Sequence, residues 1–196
     1  MLVFFGKWAA CIEPKGGLGC HGMKYRHLIL LPLMAFSLFS SAKADPLKVG
    51  DKAPDVTGIT ETGAKLNFGD FYKKQTYTLV YFFPKADTSG CTAQGCSLRD
   101  AYDQLTKDGL AVIGVSHDDV DAQAAFKAKY SFPFTLIADP DQLVSKAFGV
   151  PNYPMVGLAK RQAYLIRNGA IIWADYHAST AQQAADVLEV IASQKN

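Results

Sequence analysis

Three short runs, Tyr77–Phe83, Leu110–Val115 and Phe134–Ala138, are almost wholly apolar and are separated by stretches of helical composition. Runs this short, without polar alternation, read as strands covered on both faces. Strands joined through helices pair in parallel, because the helix carries the chain back across the sheet. The connecting segments fit: a helix over Thr92–Lys107 closed by Asp108-Gly109, and another over Asp119–Tyr130. A third, Gln142–Phe148, follows the turn Asp139-Pro140-Asp141. Outside this unit lie two hairpins. The first pairs Asp55–Thr60 with Lys65–Phe68 around Glu61-Thr62-Gly63. The second pairs Gln162–Ile166 with Ala170–Tyr176 around an Asn-Gly turn. Leu47–Pro54 reads as an extended lead-in, Asp70–Lys74 as one helical turn, and Gly149–Lys160 as a loop. A last helix, capped by Ser179 or Thr180, carries the apolar stripe Ala184, Val187, Leu188 and Ile191. The expected class is α/β, with a mixed sheet flanked by helices.

The first 44 residues stand apart from this pattern. Residues 1–22 show no periodicity and read as a miscalled upstream start. Residues 23–44 have the three parts of a secretory signal: basic Met23-Lys24-Tyr25-Arg26-His27, apolar Leu28–Phe39, and an A-x-A site at Ala42-Lys43-Ala44. Twelve apolar residues are too few to span a bilayer, so no stable membrane anchor is expected. The reading is an exported protein, in a bacterial periplasm, whose folded domain covers residues 45–196. The 196-residue chain has 20 Lys/Arg and 18 Asp/Glu, but five of the basic residues and one acid precede Asp45. The domain itself is therefore close to neutral, which argues against nucleic acid as a partner.

Cys11 and Cys20 leave with the presequence, so the domain keeps Cys91 and Cys96 alone. Pro84 ends the first apolar run, a polar loop follows, and Cys91 stands where that loop meets helical composition. Free backbone N–H groups and the positive end of the helix dipole gather at such a point, and they favour a thiolate. Zinc needs about four ligands and no second ligand pair accompanies these cysteines, so no metal or other cofactor is expected. The spacing is C-x₄-C and not the C-x₂-C of thioredoxin-type exchange sites. On a regular helix the two Cα atoms lie about 8–9 Å apart, beyond the ~7 Å limit for a disulfide. Reduced thiols in a helix and a Cys91–Cys96 bond are thus two different local structures. On the residues alone, Cys96 remains open as core filling, and His117 as a nucleophile's partner in hydrolysis.

Pro84-x₃-Thr88-x₂-Cys91 resembles the P-x₃-T-x₂-C signature of the peroxiredoxins, and FFPKADTSGCTAQGC resembles their bacterioferritin-comigratory, or Q-type, branch. GVSHDD, FKAKYSFPFTLIADPDQLVSKAFGV and RQAYLIRNGAII extend the likeness over most of Asp45–Asn196. The resemblance implies a thioredoxin-like fold with an N-terminal β-hairpin. It implies a thiol peroxidase acting on hydrogen peroxide and organic hydroperoxides. By the same resemblance Cys91 is the peroxidatic cysteine and Cys96 resolves its sulfenic acid as an intramolecular disulfide. Thr88 offers its hydroxyl to the peroxide, Arg161 stabilises the developing charge, and Pro84 shields the pocket. The implied partners are a peroxide and a thioredoxin-like or other dithiol reductant, with a monomer or weak dimer as the assembly. Ser89 departs from the branch, which commonly has Pro there. Two rival readings use the same cysteines: a thiol–disulfide exchange protein without peroxidase activity, and a redox-responsive binding module.

Overall fold

The computed structural model describes residues 45–194; the presequence reading falls outside them. One seven-stranded sheet has the order β2-β1-β5-β4-β3-β6-β7. Its strands are β1 (Thr57–Thr60), β2 (Lys65–Asn67), β3 (Tyr77–Phe82), β4 (Leu110–Ser116), β5 (Thr135–Ala138), β6 (Gln162–Arg167) and β7 (Ala170–Asp175). The three apolar runs become β3, β4 and β5, and these pair in parallel as their helical connections require. Both hairpins form and join antiparallel, β1 to β5 and β6 to β3, so the sheet is mixed. Asn168 and Gly169 both take positive φ, 52° and 73°, the backbone that a two-residue hairpin turn needs.

The helices are α1 (Phe68–Tyr72), α2 (Ser89–Asp100), α3 (Tyr102–Lys107), α4 (Val120–Tyr130), α5 (Leu143–Ala147) and α6 (Gln183–Ser193). Every residue of β3 is buried, and alternate residues go to opposite faces. Leu79, Tyr81 and Phe83 join the core under α2, α3, α4 and α6, with Leu98, Leu105, Phe126 and Val187. Val80 and Phe82 join the core under α1 and α5, with Phe68, Val144 and Phe148. Gly114 is the non-apolar interruption in the second run. A Cβ there would meet Leu136 Cδ2 and the Tyr81 hydroxyl at 2.7 Å, so its absence makes room for the Tyr81 ring.

Two helices differ from the sequence reading. The helix expected over Thr92–Lys107 starts earlier, at Ser89, and breaks at Ala101 (φ −97°, ψ 6°) into α2 and α3. The early start puts Gly90, a poor helix former, inside the first turn, which is why composition alone set the boundary too late. The last helix begins at Gln183, with Gln182 and not Ser179 or Thr180 at its N-cap position. Ser179 instead donates its hydroxyl to Asp186 Oδ2 at 2.6 Å, a charge-assisted bond that outcompetes a backbone cap.

Candidate active site

The loop between β3 and α2 is fastened at several points. Phe83 continues the ladder beyond β3, its N–H donating to the Val115 carbonyl at 3.0 Å. Ala86 N–H donates to Asp118 Oδ2 at 2.8 Å, and the Ser116 hydroxyl donates to the same oxygen at 2.6 Å. Asp87, at a φ of 58°, is gripped by the last turn of α4, accepting from Lys129 Nζ (2.7 Å) and the Tyr130 hydroxyl (2.7 Å). Those two donors hold the Asp87 carboxyl below the usual carboxylate range. Pro84 is half-buried at the head of this loop. Thr88 follows at the N-cap position of α2, exposed, with its hydroxyl donating to the Lys85 carbonyl at 3.0 Å.

Cys91 lies in the first turn of α2. Thr92 is the first residue there to donate to the backbone behind it, to the Thr88 carbonyl at 2.8 Å. The N–H groups of Ser89, Gly90 and Cys91 precede it and belong to the set a helix start leaves unpaired. The Cys91 side chain is almost closed off, at 2% exposure. Arg161 reaches it from the start of the neighbouring strand, 70 residues away in sequence. The register explains the meeting: β6 pairs antiparallel with β3, Gln162 opposite Phe82. Arg161 therefore stands at the point where the chain leaves β3 for the cysteine loop. Its Nη2 donates to Cys91 Sγ at 3.3 Å. A Cβ on Gly90 would come within 3.3 Å of that nitrogen, so glycine at this position leaves room for the guanidinium.

The other arm of the guanidinium, Nη1, donates to Gln94 Oε1. Gln94 is fully buried one turn after Cys91, and its Nε2 donates to Gln183 Oε1 on α6 at 2.8 Å. Neither glutamine was singled out in the sequence. The signal was there in weak form: Gln94 shares a helix face with Cys91 at i+3, and Gln183 sits one turn before Val187 at the head of an apolar stripe.

Cys96 is half-buried in the same helix, packed against the core that holds Tyr81 and Cys91, and both thiols are free. Because α2 is continuous from Ser89 to Asp100, helix geometry keeps the two Cα atoms about 8–9 Å apart. Tyr81 lies beneath them. Burial, first, and then the nearby cysteines push its phenol far above its ordinary pKa, so it stays neutral. The structure thus brings Cys91, Arg161 and the Pro84–Thr88 loop together. His117 belongs to another neighbourhood: its ring nitrogens meet the Gly157 carbonyl (2.9 Å) and the Ser145 hydroxyl (3.1 Å) and not Cys91. His117 and Cys91 do not form a hydrolytic pair among the described residues.

Residues 49–174 match the AhpC/TSA family. The chain belongs to that family, as a peroxiredoxin of the Bcp/Q branch. Peroxiredoxin Bcp of Escherichia coli is 43% identical over 106 residues, covering 54% of this chain and 67% of that protein. Chloroplastic peroxiredoxin Q of Suaeda salsa is 37% identical over 153 residues, covering 76% of this chain and 70% of that protein. Among solved structures, peroxiredoxin Q of Xanthomonas campestris superposes with a TM-score of 0.67 at 26% identity, over 79% of this chain and 99% of that one. The peroxiredoxin is a thiol-dependent peroxidase, and the family implies a peroxide substrate and a thioredoxin-type reductant.

Proposed function

We propose that this peroxiredoxin reduces hydrogen peroxide and small organic hydroperoxides at Cys91, with Cys96 as the resolving thiol. The observation that carries the assignment is the Arg161 guanidinium on Cys91 Sγ in the first turn of α2. The guanidinium donates to that sulfur and places a positive charge beside the point where the peroxide's negative charge develops. The thiolate attacks one peroxide oxygen and the O–O bond breaks. The departing alkoxide or hydroxide takes a proton to leave as alcohol or water, and Cys91 is left as a sulfenic acid. Arg161 stabilises charge on the departing oxygen. Thr88 already spends its hydroxyl proton on Lys85, so it meets the peroxide as an acceptor for the substrate O–H. Pro84 closes the side of the pocket against water.

Cys96 then attacks the Cys91 sulfur, an S–S bond forms, and water leaves. A dithiol reductant returns both thiols by exchange. The helical separation of the two cysteines requires the Thr92–Cys96 turn to unwind for that step. The near-complete burial of Cys91 favours a small oxidant over a protein disulfide, which supports the peroxidase reading above thiol–disulfide exchange. The chain acts after export, as a monomer or weak dimer, with a bacterial periplasm as its compartment; the support is the Met23–Ala44 signal pattern.

The test is peroxide consumption with dithiothreitol as reductant by purified protein. Cys91→Ser is expected to lose turnover entirely, while Cys96→Ser still forms one sulfenic acid per chain, seen by mass spectrometry. Turnover by Cys91→Ser at the wild-type rate overturns the assignment.

A further inference from the structure

We propose that Gln183 is a positioning residue that orients Arg161 through Gln94 and, by the same contact, sets how readily α2 unwinds. This rests on the reading of Cys91 and Cys96 as the reacting pair.

The orientation of both amides follows from Arg161. A guanidinium can only donate, so the Gln94 carbonyl oxygen must face Nη1. The Gln94 Nε2 then points away and needs an acceptor in a site closed to water, since Gln94 and Gln183 both have no exposed surface. Gln183 Oε1 is that acceptor, at 2.8 Å. Turning this oxygen toward Gln94 leaves Gln183 Nε2 buried with no partner among the described residues. A buried donor without an acceptor is costly. It persists here because the rest of the chain of contacts dictates which way the amide faces. Arg161, Gln94 and Gln183 thus form one directed series, running from the cysteine sulfur to the first residue of α6.

α6 holds α2 a second time. Ser97 Oγ accepts from the Ala184 N–H at 3.2 Å, one turn further along α2 than Gln94. The two struts flank Cys96. Bringing Cys96 to Cys91 requires the turn that contains Gln94 to unwind, and this breaks the Gln94–Gln183 bond. One contact therefore serves two steps in opposite senses. It fixes Arg161 while peroxide is attacked, and it delays the disulfide. The delay has a chemical consequence: a long-lived Cys91 sulfenic acid is open to a second peroxide, which transfers an oxygen to give the sulfinic acid and releases alcohol or water. Gln183 places the protein on that scale between fast peroxide attack and protection from overoxidation.

The experiment is single-turnover oxidation of the reduced protein, quenched with acid and read by mass spectrometry for sulfenic acid, disulfide and sulfinic acid. Gln183→Met keeps the volume and removes the acceptor. Loss of one hydrogen bond predicts roughly 5–10-fold slower sulfenic acid formation and roughly 5–10-fold faster disulfide formation. The sulfinic fraction at excess peroxide falls accordingly. Gln183→Glu, which retains an acceptor oxygen for Gln94, recovers the first step. Ser97→Ala removes the second strut without touching Arg161 and speeds disulfide formation alone, which keeps the proposal testable if Gln183→Met does not fold. Wild-type rates for both steps in Gln183→Met and Ser97→Ala overturn the proposal. So does a proportional slowing of both steps that Gln183→Glu does not recover, the mark of a merely structural residue. Wild-type protein that forms neither the sulfenic acid nor the Cys91–Cys96 disulfide overturns the underlying reading and the proposal together.

Discussion

At the scale of single residues, Arg161 does what no other cation near the site can do. Its planar fork reaches Cys91 Sγ with one nitrogen and Gln94 Oε1 with the other. Lysine carries the same charge on a single nitrogen and cannot hold both partners in fixed directions. Arg161→Lys is therefore expected to retain the fold but lower the rate of peroxide consumption by about 10–100-fold, since a misdirected donor loses most of its value at a developing charge. Steady-state kinetics with a dithiol reductant checks this; a loss of less than threefold would mean that charge alone, without direction, is what Cys91 requires. Lys160, next in sequence, has no such place: its Nζ lies over the exposed Tyr153 ring, 6.0 Å from the centroid.

The element that matters most is α2. Its first two turns carry two glycines, Gly90 and Gly95, and each weakens a helix by about 1 kcal/mol relative to alanine. Weak helix propensity here agrees with the proposed unwinding of this segment. Gly95 has a second reason to be glycine. A Cβ there would sit 2.5 Å from Phe132 Cζ and 2.9 and 3.1 Å from two neighbouring ring atoms. Phe132 cannot step aside easily. It stacks on Phe134 at 5.2 Å and meets Phe126 edge-on at 4.9 Å. In Gly95→Ala, overpacking of about 1–3 kcal/mol then outweighs the propensity gain of about 1 kcal/mol. The expected outcome is a net loss of up to about 2 kcal/mol in urea unfolding. An equally or more stable variant would show that α2 shifts away from the ring at little cost.

At the scale of the whole molecule, the sheet register is what assembles the site. Cys91 follows β3, Arg161 precedes β6, and the antiparallel pairing of those two neighbouring strands carries one to the other. The two edges are managed differently. The β2 edge is three residues long. The β7 edge is partly covered by the lead-in, where Gly50 N–H donates to the Ile171 carbonyl and Ile171 N–H to the Asp51 carbonyl, each at 2.9 Å. That lead-in docks within a few residues of Ala44: Leu47 N–H donates to the Phe148 carbonyl at 3.2 Å. The proposed export predicts a mature chain that begins at Asp45, checked by N-terminal sequencing of the full chain after expression in a bacterial host; a start at Met1 or Met23 would set aside cleavage after Ala44.

The sequence by itself determined the elements and the candidate pair of cysteines. Apolar runs too short for helices, helical segments between them and an Asn-Gly turn leave few foldings other than a mixed sheet covered on both faces. Pro84, Thr88, Cys91 and Cys96 lie within thirteen residues, so local chemistry makes them readable together. Arg161 was legible only through the resemblance to the peroxiredoxins, and its contact with sulfur depends on the pairing of β3 with β6. Gln94 and Gln183 were legible only as positions on a helix face. A buried glutamine is defined by what it faces, and the partners lie on three separate segments that meet only when α2 and α6 pack on the same side of the sheet. The early start of α2 at Ser89 has the same origin. Propensity argues against Gly90 in a first turn, and the Arg161 guanidinium that occupies the space beside it is a tertiary neighbour that no local pattern shows.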